Sequence, residues 1–308
     1  MLVLSEITLT IDDLVNIEIV KIQGKEIEKY DNKDVEVIVC CRETARKVSQ
    51  MNFPKLKLVQ LTSAGFDGVP LEIYSQKGIA VANAGSVYSV PMAETVVYGM
   101  LQMTKKYHAN PKSHRIRIAR NYKYITELAE KTVTIMGTGS IGGEIAKRLQ
   151  GFNIKIYGYS KSGKKKEYFV ENTNQVLRLK EMLNESQFVI STLPDEPELQ
   201  GFINAELLTC MNQDCVLLNV GRKKVINEHD LYEALKMKQI GGAVLDMFEK
   251  LPNPITNKFL RLSNTIVWPG VSAISKEVGK RLETHVKNNI WKISKAEKPN
   301  CIVNGEKV

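Results

Sequence analysis

Near the middle of the chain, residues 132–136 read TVTIM, residues 137–143 read GTGSIGG, and residues 154–160 read IKIYGYS. A β-branched run, a glycine turn, a helix-patterned stretch and a second β-branched run form a strand–helix–strand unit, which closes as two parallel strands with the helix laid across them. That constraint sets the fold class as α/β. Gly137, Gly139 and Gly142 give the spacing GxGxxG directly after the first strand. Gly137 permits the tight turn, Gly139 carries no Cβ to hold a pyrophosphate off the backbone, and Gly142 lets the helix approach the strand. Backbone N–H groups near Ser140 and Ile141 would then meet phosphates at the positive end of the helix dipole. The alternative is a glycine-rich corner that binds nothing.

The rest of the chain extends this unit in both directions. Before residue 85, short runs (1–4, 17–22, 35–41, 56–61, 79–82) alternate with polar or helix-patterned stretches, which predicts a parallel sheet covered on both faces. After the glycine turn, FVIST (188–192), CVLLNV (215–220), GAVLDMF (242–248) and TIVWP (265–269) continue the second sheet. Pro91 is expected to open a helix at its first position, and the last forty residues look mainly helical. A length of 308 residues suits two domains. No apolar run reaches the ~18 residues of a membrane span. Glu6, Asp12 and Asp13 interrupt the N-terminal stretch before a signal-peptide core could form, so a cytoplasmic location is expected. The five cysteines include no CxxC or Cys/His metal spacing, so buried thiols are expected rather than redox or zinc chemistry.

In an NAD site the second strand ends in a carboxylate that holds the adenosine ribose. Here it ends in Ser160, followed by Lys161, Ser162, Lys164, Lys165 and Lys166. Hydroxyl and ammonium groups suit a 2′-phosphate, which a carboxylate would repel, so NADP(H) is expected as the preferred cofactor, with NAD(H) possible. A solvated lysine loop is the other reading.

With the glycine turn placed, STLPDEPELQGFINAELL (191–208), CVLLNVGRKKVINEHDLYEAL (215–235), GGAVLDMFEKLP (241–252) and NTIVWPGVSA (264–273) resemble, in order and spacing, the D-isomer-specific 2-hydroxyacid dehydrogenase family. LTSAGFDGVP (61–70) looks like that family's substrate loop, and NAGSVYSVPMAETV (83–96) like its crossover into the cofactor domain. The resemblance implies two Rossmann-like domains with parallel sheets. One is a discontinuous, flavodoxin-like substrate domain of residues 1–88 and 274–308; the other is a dinucleotide-binding domain of residues 89–273. It further implies hydride transfer between a nicotinamide and a small 2-oxo or 2-hydroxy acid, of the glyoxylate or hydroxypyruvate kind, in a homodimer. On this reading Arg222 clamps the substrate carboxylate and polarises the carbonyl, and the N–H groups of Ala64 and Gly65 complete carboxylate binding. Leu193, Pro194, Val220 and Gly221 fall in cofactor-binding motifs. Asp246 matches a partner of the nicotinamide carboxamide, with a strand or helix cap as the other reading.

The chain departs from the family at the proton-transfer pair. The family's DVFxxEP has become DMFEKLP, with Leu251 in place of the glutamate, and the family's Pro-His histidine falls on Gly270. His108, His114, His229 and His285 lie elsewhere and read as surface or capping residues. A general acid or base contributes about 10²–10⁴ in rate, separately from hydride positioning and electrostatics. The loss therefore predicts slow turnover or an atypical proton donor. It is also consistent with a catalytically silent NADP(H)-binding regulatory protein.

The net charge of +9 is concentrated in two places. Residues 95–126 hold seven lysines and arginines and no acid, and residues 160–166 hold four lysines; the remainder is near neutral. The second segment is the expected 2′-phosphate loop. Nucleic acid is not expected as a partner, since the first segment carries tyrosines but no known binding module.

Overall fold

The β-branched runs of the first 85 residues form strands β1 (Leu2–Ser5), β2 (Glu18–Lys21), β3 (Val35–Cys40), β4 (Leu58–Leu61) and β5 (Ala80–Ala82). All pair in parallel, in the order β2-β1-β3-β4-β5, which is the flavodoxin-like order. Side chains alternate between faces along each strand. Ile38, Cys40, Val59 and Leu61 pack on one face with Ala45 and Val48 of α1 (Arg42–Ser49) and Tyr74 of α2 (Leu71–Gln76). In this computed structural model the described residues are 1–10, 16–30, 33–105, 125–246 and 257–305. They divide into two compact units, Met1–Tyr88 with Ser275–Val308, and Ser89–Ile274.

Helix α3 (Gly85–Lys105) starts six residues before Pro91, so the proline lies inside the helix rather than opening it. Sequence spacing alone favoured the first helical position, because an interior proline forfeits the bond to the carbonyl four residues earlier. The true start is at Gly85, whose N–H donates to Asn83 Oδ1 at 3.2 Å, and Ser86–Val90 then continue the helix to the proline.

The second unit holds β6 (Thr132–Met136), β7 (Lys155–Tyr159), β8 (Glu171–Thr173), β9 (Phe188–Ser191), β10 (Val216–Asn219), β11 (Gly242–Leu245) and β12 (Thr265–Val267). These strands also run parallel, in the order β12-β11-β10-β9-β6-β7-β8. Counted from β6, this is the doubly wound order 3-2-1-4-5-6 with one further strand. Helices α4 (Ser140–Leu149), α5 (Val176–Glu185), α6 (Ala205–Thr209) and α7 (Glu228–Lys236) accompany it. β9 and β10 are buried along their whole length, as a sheet covered on both faces requires. β8 was not expected: ENT has no apolar run, and Asn is depleted in strands.

The last helix, α8 (Lys276–Ser294), returns to the first unit, where Val286, Ile290 and Ile293 pack on Val37, Val39, Leu58 and Ala80. Residues 295–305 beyond it are not helical; Ile302 bridges Ala82 of the edge strand β5. Cys40 and Cys215 are buried, but Cys41, Cys210 and Cys301 are only partly so. Burial pushes the Cys215 thiol up to about 12. Among the described residues, no group of side chains could hold a metal, and no helix is long and apolar enough to cross a membrane.

Candidate active site

Because every strand of the second sheet runs the same way, the carboxyl ends lie along one edge, and the chain direction across the sheet reverses between β6 and β9. Doubly wound sheets take ligands at such a switch point. The turns after β6, β7, β9, β10, β11 and β12 carry Gly137, Ser160, Leu193, Arg222, Asp246 and Gly270 respectively.

The three glycines divide their tasks as the spacing implies. Gly137 has φ +100, and a Cβ there would lie 3.1 Å from the Thr192 carbonyl carbon, while the Thr192 hydroxyl donates to the Gly137 carbonyl at 2.8 Å. A Cβ on Gly142 would overlap the Gly137 carbonyl oxygen. A Cβ on Gly139 would meet nothing within 4 Å, so that face is open. Gly139 is also the N-cap of α4 and supplies no capping side chain, so the first-turn N–H groups of Ser140 and Ile141 keep their affinity for an anion. These residues fit a dinucleotide pyrophosphate.

The turn after β7 is tied to the glycine turn by Asn172 of β8. Its Nδ2 donates to Ser160 Oγ at 2.9 Å and to the Lys164 carbonyl at 2.6 Å, with Thr138 Oγ1 at 3.4 Å. The Gly163 N–H closes the turn on the Ser160 carbonyl at 3.0 Å, and Gly163 has φ +60. Lys161, Ser162, Lys164, Lys165 and Lys166 are exposed, and Lys161 Nζ lies 3.6 Å from Glu196. The sequence reading missed Asn172. Its one available signal was an amide inside a strand, where such residues are uncommon unless the side chain is used.

The loops after β9 and β10 close against each other. The Val220 and Gly221 N–H groups both donate to the Ser191 carbonyl, at 3.1 and 3.0 Å. A Cβ on Gly221 would lie 2.7 Å from both Leu193 N and Leu193 O, so only glycine admits this approach. Leu193 and Val220 are buried and Leu193 joins the core of the unit, while Pro194 is half-buried. Asn219, also missed, accepts from the Gly221 N–H at 3.2 Å and donates to the Arg222 carbonyl at 3.2 Å. Arg222 is half-buried, with Nη1 donating to the Gly221 carbonyl at 3.2 Å.

Asp246 is 1% exposed, and its two oxygens accept the N–H groups of Val271 (2.9 Å) and Ser272 (2.8 Å). It caps the turn after β12. Gly270 in that turn has φ +74, and a Cβ there would have only the Asp246 carbonyl oxygen nearby, at 4.0 Å. Trp268 packs over Gly99 of α3 and stacks on Tyr98 at 6.2 Å. Leu251 and Glu249 lie outside the described residues, as do residues 106–124 of the first basic segment with His108 and His114.

In the first unit, the carbonyls of Ala64 and Gly65 accept from Asn83 Nδ2 (2.7 Å) and Ser63 Oγ (2.7 Å), bonds that leave the N–H groups uninvolved. Tyr88 donates to the Thr62 carbonyl at 2.6 Å, and burial raises its phenol, which stays protonated. His285 was expected at the surface but is half-buried. Its Nε2 lies 3.0 Å from the Asn83 carbonyl, a bond that requires Nε2–H, and burial lowers its pKa. His229 is exposed in the first turn of α7, where its N–H donates to the N-cap Asn227.

Comparison with known proteins agrees with this geometry. Residues 95–272 match the D-isomer specific 2-hydroxyacid dehydrogenase, NAD binding domain. The chain belongs to the D-isomer specific 2-hydroxyacid dehydrogenase family. A glyoxylate reductase of Pyrococcus furiosus is 30% identical over 290 residues, spanning 92% of this chain and 85% of the relative. Among solved structures, the apo D-mandelate dehydrogenase of Rhodotorula graminis superposes with a TM-score of 0.83 at 17% identity, covering 100% of this chain and 98% of that one. The NADPH-dependent glyoxylate/hydroxypyruvate reductase of Sinorhizobium meliloti, in complex with NADP and malonate, gives 0.72 at 23%, covering 98% and 96%. These two likenesses establish the fold. Family membership carries the class: an oxidoreductase of 2-hydroxy acids that works with a nicotinamide dinucleotide.

Proposed function

We propose that this chain is an NADPH-dependent reductase of small 2-oxo acids of the glyoxylate and hydroxypyruvate kind, with a proton donor other than the family's histidine–glutamate pair. The observation that carries the reading is the open face of Gly139 at the uncapped N-terminus of α4, on the same sheet edge as Arg222. The bound nicotinamide would supply the hydride. The N–H groups of Ser140 and Ile141 receive the pyrophosphate, the Gly137 turn and Gly142 fix that backbone, and Pro194 and Gly221 border the site with Leu193 and Val220 behind them. Ser160, Lys161 and Ser162 receive a 2′-phosphate; no carboxylate ends β7, although Glu196 competes for Lys161. Arg222 polarises the carbonyl and fixes the carboxylate with its guanidinium fork. In the first unit, the N–H groups of Ala64 and Gly65 are proposed as carboxylate donors. The relatives' printed activities support the substrate class.

One observation favours a second reading, a silent NADP(H)-binding protein. The position matching the family's histidine holds a glycine with φ +74 and no neighbouring side chain within 4 Å of a Cβ. NADPH oxidation with glyoxylate and hydroxypyruvate decides between them. Turnover that falls at least about 10²-fold in Arg222→Met, with NADPH affinity kept, supports the reductase. Tight NADPH binding with no oxidation across 2-oxo acids at several pH values selects the silent reading.

A further inference from the structure

Ser160 follows β7, and nearly all of its hydrogen-bonding capacity is already engaged. Its N–H donates to the Thr173 carbonyl at 2.9 Å, and its own carbonyl accepts the Gly163 N–H at 3.0 Å. Its Oγ lies 2.9 Å from Asn172 Nδ2. A third residue fixes the direction of that last bond. The Lys164 carbonyl lies 2.6 Å from the same amide atom and can only accept, so the atom facing it is the nitrogen and not the oxygen. An amide nitrogen donates and does not accept, so Ser160 Oγ is the acceptor and its O–H proton points elsewhere. Among the described residues no acceptor takes that proton.

The residue facing Asn172 makes room for this arrangement. Gly158 of β7 pairs with Asn172 of β8, and a Cβ at 158 would lie 2.5 Å from Asn172 Oδ1 and 2.8 Å from Thr138 Cγ2. A glycine inside a strand weakens it and marks just such a close approach. The two hydrogens of Nδ2 serve Ser160 and Lys164, and Thr138 Oγ1 of the glycine turn stands behind them at 3.4 Å.

We propose that Asn172 is a positioning residue for cofactor choice, holding the Ser160 hydroxyl as a fixed donor toward the 2′-phosphate of NADPH. The inference rests on the 2′-phosphate reading given above. A phosphate offers acceptors to such a donor, and a hydrogen bond to it is about twice as strong as one between neutral groups, so a ribose 2′-hydroxyl gains less from the same contact. Asn172 thus acts through Ser160. An aspartate at 172 reverses the polarity: it cannot donate to the Lys164 carbonyl, it accepts the Ser160 proton, and it adds a negative charge beside the phosphate.

The adenosine end is tested with 2′,5′-ADP and 5′-AMP, titrated by calorimetry into the full-length protein, with thermal unfolding as the check that each variant is folded. The parent should bind 2′,5′-ADP more tightly, and Asn172→Asp should lower the affinity ratio of 2′,5′-ADP to 5′-AMP at least about tenfold. Asn172→Ala should lower the ratio at least about threefold, but less than about twofold when Ser160→Ala is already present, since residues acting through one bond are not additive. That cycle decides even if the aspartate variant does not fold. A residue that only braced the turn would weaken both nucleotides alike and leave the ratio unchanged. A parent without preference for 2′,5′-ADP rejects the 2′-phosphate reading and this proposal with it. A parent with that preference, whose ratio is unmoved in the folded Asn172 variants or falls additively in the cycle, overturns the role of Asn172 alone.

Discussion

Gly139→Ala and Gly142→Ala separate binding from folding within a single turn. At position 142 the added methyl overlaps the Gly137 carbonyl oxygen, and lies 3.0 Å from the Gly137 carbonyl carbon and 3.2 Å from Ile135 Cγ2. Two of those three atoms are backbone, so no rotamer change relieves the overlap, and α4 must lift away from β6. Overpacking of this kind costs about 3 kcal/mol at the upper end of its usual range. Alanine's better helix propensity returns about 1 kcal/mol. The net loss of about 2 kcal/mol lowers Tm by about 4–8 °C for a unit of this size. At position 139 the methyl meets nothing within 4 Å, and φ −73 is ordinary for alanine. Alanine is a poorer N-cap than glycine by something under about 1 kcal/mol, and the stiffer unfolded chain returns about 0.4–1 kcal/mol, so stability stays nearly constant. The same methyl stands where a pyrophosphate must approach, so NADPH affinity falls at least tenfold, about 1.4 kcal/mol. Thermal unfolding without cofactor and a fluorescence titration with NADPH measure the two quantities. The reasoning fails if Gly139→Ala loses as much Tm as Gly142→Ala, or if it binds NADPH like the parent.

Ser160→Asp places a carboxylate at the end of β7 and should lower the NADPH-to-NADH affinity ratio at least tenfold; an unchanged ratio in paired titrations sinks the 2′-phosphate assignment. Restoring the family pair with Gly270→His and Leu251→Glu should raise turnover by about 10²–10⁴. Because residue 270 has φ +74, the histidine also costs about 1–2 kcal/mol of stability, visible as a lower urea midpoint. Burial holds the His285 pKa below its unfolded 6.5, so its contribution to stability is present above pH ~6.5 and lost as pH falls through the lower folded value. His285→Gln should therefore flatten the acid side of a Tm-against-pH curve between about pH 7 and 5, and a parallel curve would count against it.

The parts of the fold that could be read in advance are those where one residue type has one physical use. Runs such as VEVIVC and TVTIM bury both faces of a central strand, and they appear as β3 and β6 with ends shifted by at most a residue. The glycine turn was legible for the same reason, since each glycine answers a separate steric demand that the Cβ distances reproduce. Reading failed where tertiary context outweighs local preference. Pro91 sits inside α3 because the helix begins at Gly85, next to the Asn83 side chain that takes its N–H, and no glycine or proline interrupts Ser86–Val90. ENT forms β8 as an edge strand held partly by Asn172, whose amide serves the neighbouring turn. His285 carries no local mark of burial; its environment comes from Asn83, 202 residues away.

The corner around Asp246 and Gly270 shows why motif matching alone could not settle the chemistry. A carboxylate at position 246 suits a carboxamide partner, but here each oxygen already accepts one backbone N–H, and the residue is 1% exposed. Each oxygen retains a second lone pair, yet burial leaves little room for a further donor. Its effect is thus exerted through the turn it holds, which fixes the course of residues 270–272. That turn carries no imidazole, so any proton delivered there comes from water or from a side chain borne elsewhere. On the proposed reading, hydride positioning and carbonyl polarisation rest on other atoms, the glycine turn and Arg222, and both are present in this chain. A reductase of the proposed kind would then forgo only the factor of about 10²–10⁴ that a positioned acid provides, since electrostatic stabilisation is a separate contribution.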